Sequence, residues 1–247
     1  MNRPEFPEAI ASLIDHLASL PNVVAVTLAG SSPDAGDPAD RAWEFGIYYR
    51  GAFDSGGLMH LEGTATAPGA WGRILNGGAS LIVDGAKVDI RYRDIDAVRH
   101  WIRESQSGRF EVDGSNESLA GIPSYTLAAE LALGTVVAGS IDDIVAYPDR
   151  LAENGPAHWR TSARRSLDHA HTRAERGDVA GVLGHLARAC IEEAHARLCE
   201  ARRWTVNEKE ILERAELTHL NQLLTALNAD PVMLMQRVMQ ARALLLD

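Results

Sequence analysis

The sequence predicts an α+β fold in two parts. A small mixed β-sheet domain covers residues 1–115 and a C-terminal helical bundle covers 120–247. Short β-branched and aromatic runs alternate with helical stripes in the first part, whereas nearly every segment after residue 120 reads as helix. Between them, Gly114 to Ser124 reads as an interdomain linker.

The elements follow in order. Pro7 to Leu20 is a helix, because Ile10, Leu13, Ile14, Leu17 and Leu20 form one apolar stripe that Pro21 ends. Asn22 to Leu28 and Trp43 to Tyr49 read as strands, and Asp54 to Glu62 fits neither period. Ala79–Val83 and Lys87–Arg93 flank Asp84-Gly85, a hairpin signal. In the second arm Val88, Ile90 and Tyr92 share one face, and Lys87, Asp89 and Arg91 the other. Asp94 to Ser105 is helical again, so the first part is a small mixed sheet with helices packed on one face. The second part holds helices over Tyr125–Val137, Ala157–Arg176, Val179–Arg202, Asn207–Ala215 and around Leu217–Leu246. Gly177-Asp178 is a helix-helix break with Asp178 as N-cap, so the two long helices beside it form an antiparallel pair.

Composition narrows the function classes. No apolar run approaches the ~20 residues that span a bilayer, and Met1-Asn2-Arg3-Pro4 lacks the apolar core of a signal peptide. A cytoplasmic location without membrane contact is expected. The net charge of −10 disfavours a broad electrostatic grip on nucleic acid. Cys190 and Cys199 are nine residues apart on one predicted helix and point to opposite sides, so they do not pair and read as buried thiols.

The chemistry-bearing pattern is a strand, a Gly-Ser turn and an acidic strand. Gly30 can take the positive φ of a tight turn and lets backbone N–H groups approach a phosphate, and Ser31 adds a hydroxyl donor. Glu44 opens the next strand, and Asp89 lies on the outer face of the hairpin arm. Mg²⁺ takes carboxylate oxygens together with waters and substrate phosphates. Asp34, Asp37 and Asp40 read as solvated turn residues, with a ligand role open should the loop fold inward.

This arrangement resembles the signature of the nucleotidyltransferase superfamily, including the aminoglycoside, lincosamide and minimal nucleotidyltransferases. There a Gly-Ser after the first strand is followed, some ten residues later, by Asp-x-Asp or Asp-x-Glu. Here Glu44 takes the first acidic position, Gly46 stands at the second, and Asp89 matches the third on a neighbouring strand. The resemblance implies transfer of a nucleoside monophosphate from a Mg²⁺–NTP complex, with ATP the expected donor, to a hydroxyl of an unknown acceptor. Gly30 and Ser31 would hold phosphates, and Glu44 and Asp89 the metal. Because Gly46 leaves one acid missing, the alternative is a catalytically impaired homologue that acts as a nucleotide- or protein-binding module.

Superfamily enzymes pair their sheet with a helical bundle that binds the acceptor and contacts the triphosphate. Arg202 to Lys209 looks like the aromatic–spacer–lysine element of such bundles, which implies phosphate contact by Lys209; a solvated lysine is the plain alternative. Glu130, an acid inside an apolar helix, is either a general base for the acceptor hydroxyl or an acid paired with an arginine. Arg73, beside Trp71 in a glycine-flanked loop, is a candidate phosphate contact. The Arg-to-His spacing between 157 and 176 resembles the motif of HEPN ribonucleases, with a solvated basic face as the alternative. The expected partners are a nucleotide and a small-molecule or protein acceptor, with a homodimer left open.

Overall fold

Helix α1 (Glu8–Ser19) buries the stripe Ile10, Leu13, Ile14 and Leu17, as the sequence predicts. The computed structural model describes residues 6–29, 42–115, 118–142, 146–225 and 227–246. After α1 come β1 (Val23–Leu28), β2 (Trp43–Tyr49), β3 (Glu62–Ala65), the one-turn helix α2 (Gly72–Leu75), β4 (Gly77–Val83), β5 (Ala86–Asp94) and α3 (Ile95–Gln106). Residues 54–62, ambiguous in the sequence, hold a short 3₁₀ turn over Ser55–Leu58, whose N-terminus Asp54 caps through a bond from Gly56 N.

The principal sheet has six strands in the order β3-β4-β5-β2-β1-β8, where β8 is Thr135–Gly139. Its neighbours pair antiparallel except β2 and β5, which run parallel, so the sheet is mixed as expected. Alternation sends Phe45, Ile47 and Tyr49 of β2 and Val88, Ile90 and Tyr92 of β5 into one core with the α1 stripe. Glu44, Gly46, Asp89, Arg91 and Arg93 consequently occupy the opposite face.

Two predicted elements are corrected here. The segment 114–124 is not a linker: β6 (Val112–Ser115) and β7 (Ser118–Pro123) form an antiparallel hairpin. Ala120 and Ile122 are buried. Small residues allow the close approach; a Cβ at Gly121, whose φ is +97°, would lie 2.6 Å from Val112 Cγ1. The predicted helix Tyr125–Val137 also ends early. Helix α4 (Thr126–Leu133) stops at Gly134, and Thr135–Gly139 becomes β8, the edge strand beside β1. β-Branched Thr135, Val136 and Val137 after a glycine favour a strand once β1 offers its free edge.

The helical residues form α5 (Asp149–Ala174), α6 (Val179–Glu200), α7 (Ile211–Arg214) and α8 (Pro231–Leu246). Helix α5 begins eight residues before the predicted start at Ala157 and carries Pro156 inside it. Buried Leu151, Gly155, Pro156 and Trp159 offset the one hydrogen bond that the proline cannot donate. Asp178 caps α6 by accepting from Gly181 N at 2.9 Å, and Gly177 takes φ +68°, as the break predicts. The predicted helix 207–215 shrinks to α7 because Glu210 is left-handed at φ +53°. The stretch 217–246 divides into a 3₁₀ segment, Thr218–Leu224, and α8.

The chain forms two units, each with its own core. One comprises the described residues up to Arg103 together with Leu127–Ala146; the other comprises Glu104–Thr126 and the described residues from Tyr147 onward. The chain therefore crosses between them three times, whereas boundaries at 1–115 and 120–247 imply a single crossing. Among the described residues no helix is long and apolar enough to cross a membrane.

Candidate functional site

The candidate site is the polar face of the principal sheet. In the parallel ladder Glu44 stands directly beside Asp89, Gly46 beside Arg91, and Tyr48 beside Arg93. Strands lie roughly 4.8 Å apart, so Glu44 and Asp89 project side by side from neighbouring strands, both open to solvent. Register alone brings this predicted pair together.

The second acidic position is closed as well as empty. A Cβ at Gly46 would lie 2.7 Å from Thr27 Oγ1 and 3.1 Å from the Tyr48 ring. Both neighbours are buried, Thr27 on β1 and Tyr48 on β2. Burial holds the Tyr48 phenol well above its ordinary pKa, with the Glu130 charge acting in the same direction. On the other side of Glu44 along the strand, the residue of the same facing is Ala42. Glu44 thus has no carboxylate two residues away in either direction.

Arg91 and Arg93 fill much of the remaining face. Arg91 Nη1 donates to Glu130 Oε1 at 3.0 Å, and its Nη2 lies 3.7 Å from Glu44 Oε2. Arg93, 1% exposed, donates to both Glu130 oxygens, from Nε at 2.5 Å and Nη2 at 2.7 Å. Its Nη1 also donates to the carbonyls of Leu75 and Tyr92. Burial alone would raise the Glu130 carboxyl; the Arg93 and Arg91 charges and hydrogen bonds outweigh it and hold the group below the usual range. A proton acceptor needs a free lone pair directed at substrate. Glu130 instead spends both oxygens on guanidiniums, which is the arginine-paired alternative.

The rim of this face carries Trp71. A Cβ at Gly78 would lie 2.5 Å from Trp71 Cη2, so the indole lies across the strand at the position paired with Arg91. Trp71 remains 39% exposed, enough to offer ring surface to a ligand. Arg73 is exposed on α2, two residues farther on.

Several other predicted site residues are placed differently or not at all. Gly30, Ser31, Asp34, Asp37 and Asp40 lie outside the described residues. Lys209 is exposed in the other unit and precedes α7 instead of starting a helix. Its backbone N–H donates to Asn207 Oδ1 at 3.0 Å. Its neighbour Glu208 is the engaged residue, accepting from Ser118 Oγ, Leu119 N and Ala120 N at 3.0, 2.7 and 2.8 Å. Nothing local in the sequence marks that carboxylate, since its partners lie about 90 residues earlier. Arg164 and His169 are exposed on α5, and the His169 ring stacks on that of His185. Cys190 and Cys199 are free and buried, as expected.

No protein-family model matches this chain, and no curated protein does. Among solved structures, the chain is similar to a nucleotidyltransferase-like protein from Exiguobacterium sibiricum 255-15. The match has 11% identity and a TM-score of 0.49, over 96% of this chain and 73% of that one.

Among the described residues no group of three His, Cys, Asp or Glu side chains is placed to hold a metal ion. Among the described residues the face carries the carboxylates Glu44, Asp89 and Glu130, the guanidiniums Arg91 and Arg93, and Lys87 two residues before Asp89, and Glu130 is committed to both arginines. Among the described residues, what remains for a cation is the pair Glu44 and Asp89, the first half-buried and the second exposed. That donor set fits one Mg²⁺ completed by water and phosphate oxygens, and it does not fit two ions.

Proposed function

We propose that this protein is nucleotidyltransferase-like: it binds an NTP, ATP first, on the polar face of its sheet, and it transfers the nucleoside monophosphate to a hydroxyl acceptor poorly or not at all. The observation that carries the reading is the in-register pair Glu44 and Asp89, with the second acidic position, Gly46, closed by Thr27. Two adjacent carboxylates can hold one Mg²⁺ with its nucleotide. In-line displacement relies on a second cation, or an equivalent charge, at the attacking oxygen. Arg91, beside Glu44, discourages a second cation by like charge. One bound Mg²⁺ would supply charge neutralisation of the phosphates. The chain's own residues do the rest: Trp71 offers a surface for the base, Arg73 a contact for a phosphate, and the Arg91–Glu130–Arg93 set keeps the face rigid. Gly30 and Ser31 keep their proposed phosphate role from the turn's sequence.

Isothermal titration with ATP, with and without Mg²⁺, tests this. Binding should need Mg²⁺ and weaken at least tenfold in Glu44→Ala and in Asp89→Ala. Metal-independent binding, or binding indifferent to both substitutions, overturns the site. Robust label transfer from α-³²P-NTP in an acceptor screen would instead overturn the impairment and leave the binding site standing.

A further inference from the structure

The helical unit holds a cavity that the sheet face does not involve. It measures about 280 Å³ and lies between the β6–β7 hairpin and the facing sides of α5 and α6. One wall is the hairpin, with Val112, Gly114 and residues 118–121; the other carries His158, Trp159 and Ser162 of α5 and Arg188 of α6. The hairpin wall is fixed, because Glu208 already takes the N–H groups of Leu119 and Ala120.

Two donors in the other wall are unspent. Arg188 Nε donates to Glu192 Oε1 at 2.9 Å, which anchors the guanidinium. Its two Nη groups have no hydrogen-bond partner among the described residues, and neither has the Ser162 hydroxyl. A guanidinium held at Nε with both terminal nitrogens open presents the fork that matches two oxygens of one oxyanion. Glu192 leaves both Nη groups open, because its first oxygen accepts from Nε and its second accepts from Ser166 Oγ at 2.7 Å. Arg165, one turn beyond Ser162, adds a second positive charge that acts on both Glu192 and His158. Burial first, then that charge, lowers the His158 pKa, so the ring is a neutral wall beside the indole edge of Trp159.

We propose that this cavity binds a small phosphomonoester, with its phosphate on Arg188 and Ser162 and its organic body between the hairpin backbone and the His158–Trp159 edge. Its size selects a small ligand, since cavities that enclose drug-sized molecules run from about 300 to 1,000 Å³.

The test uses the full chain labelled with ¹⁵N and inorganic phosphate as the probe, at fixed ionic strength set with chloride. Phosphate should shift the Trp159 indole N–H and the amides of Ser118 to Gly121 saturably. Arg188→Gln should weaken that binding at least tenfold. Ser162→Trp, which fills the cavity and leaves Arg188 on Glu192, should abolish it. Acetate should bind at least tenfold more weakly than phosphate. No saturable shift above the chloride control overturns the proposal, as does wild-type affinity in both variants. Equal affinity for acetate overturns its phosphate assignment. None of these residues belongs to the sheet face, so the two sites fail or stand separately.

Discussion

Replacing Glu130 by alanine separates a structural acid from a catalytic one. Among the described residues the substitution removes the one carboxylate paired with Arg93, whose guanidinium is 1% exposed and keeps the Leu75 and Tyr92 carbonyls. Breaking a buried ion pair from one side leaves an uncompensated charge and costs about 3–5 kcal/mol. With a urea m-value of about 2 kcal/mol/M, the midpoint should fall by about 1.5–2.5 M. The same carboxyl, held below its unfolded pKa, contributes stability above that pKa and loses it as pH drops through the folded value. The double variant Arg93→Met/Glu130→Met should recover most of the loss, because well-packed apolar replacements of buried ion pairs are often neutral. Urea unfolding followed by far-UV circular dichroism checks both. A Glu130→Ala midpoint within 0.5 M of wild type (about 1 kcal/mol) would refute the argument. If transfer activity were found and lost in that same stable variant, Glu130 would be the general base after all.

Two further expectations concern packing and protonation. Gly46→Ala drives a methyl against Thr27 Oγ1 at 2.7 Å and should cost about 1–3 kcal/mol, read by chemical denaturation; no measurable cost would show that the second acidic position is open. His195 is fully buried, its ring stacked on Trp159 and its Nδ1 3.3 Å from Tyr125 Oη, and burial, aided by Arg214, pulls its pKa down to about 3. The unfolded state then takes up the proton first, so stability is intact above about pH 6.5 and falls on acidification. The loss should reach about 2 kcal/mol at pH 5, and His195→Gln should flatten that slope between pH 7 and 5. A wild-type slope in the variant would place the acid sensitivity elsewhere.

The first half of the chain was largely legible because its signals are local. The α1 stripe, the two strands and the Asp84-Gly85 hairpin each follow from neighbours a few residues apart, and so does the face on which Asp89 and Arg91 lie. The Gly177-Asp178 break is legible for the same reason. Segment 114–124 misled because its glycines and serines look like linker chemistry; they serve a hairpin packed by Ala120 and Ile122. Segment 135–139 misled because a strand at a sheet edge depends on a partner more than 100 residues earlier.

By itself the sequence determined the α+β class, the order of most elements, and the separation of Glu44 and Asp89 from the apolar face. Those follow from periods of 2 and 3.6, which every residue reports locally. Only the tertiary structure decided that Glu44 and Asp89 are direct neighbours, that Thr27 closes the position of Gly46, and that Glu130 is held by Arg91 and Arg93. Register between strands and ion pairing across some 40 residues depend on how separate segments meet in space, and no local pattern encodes that meeting.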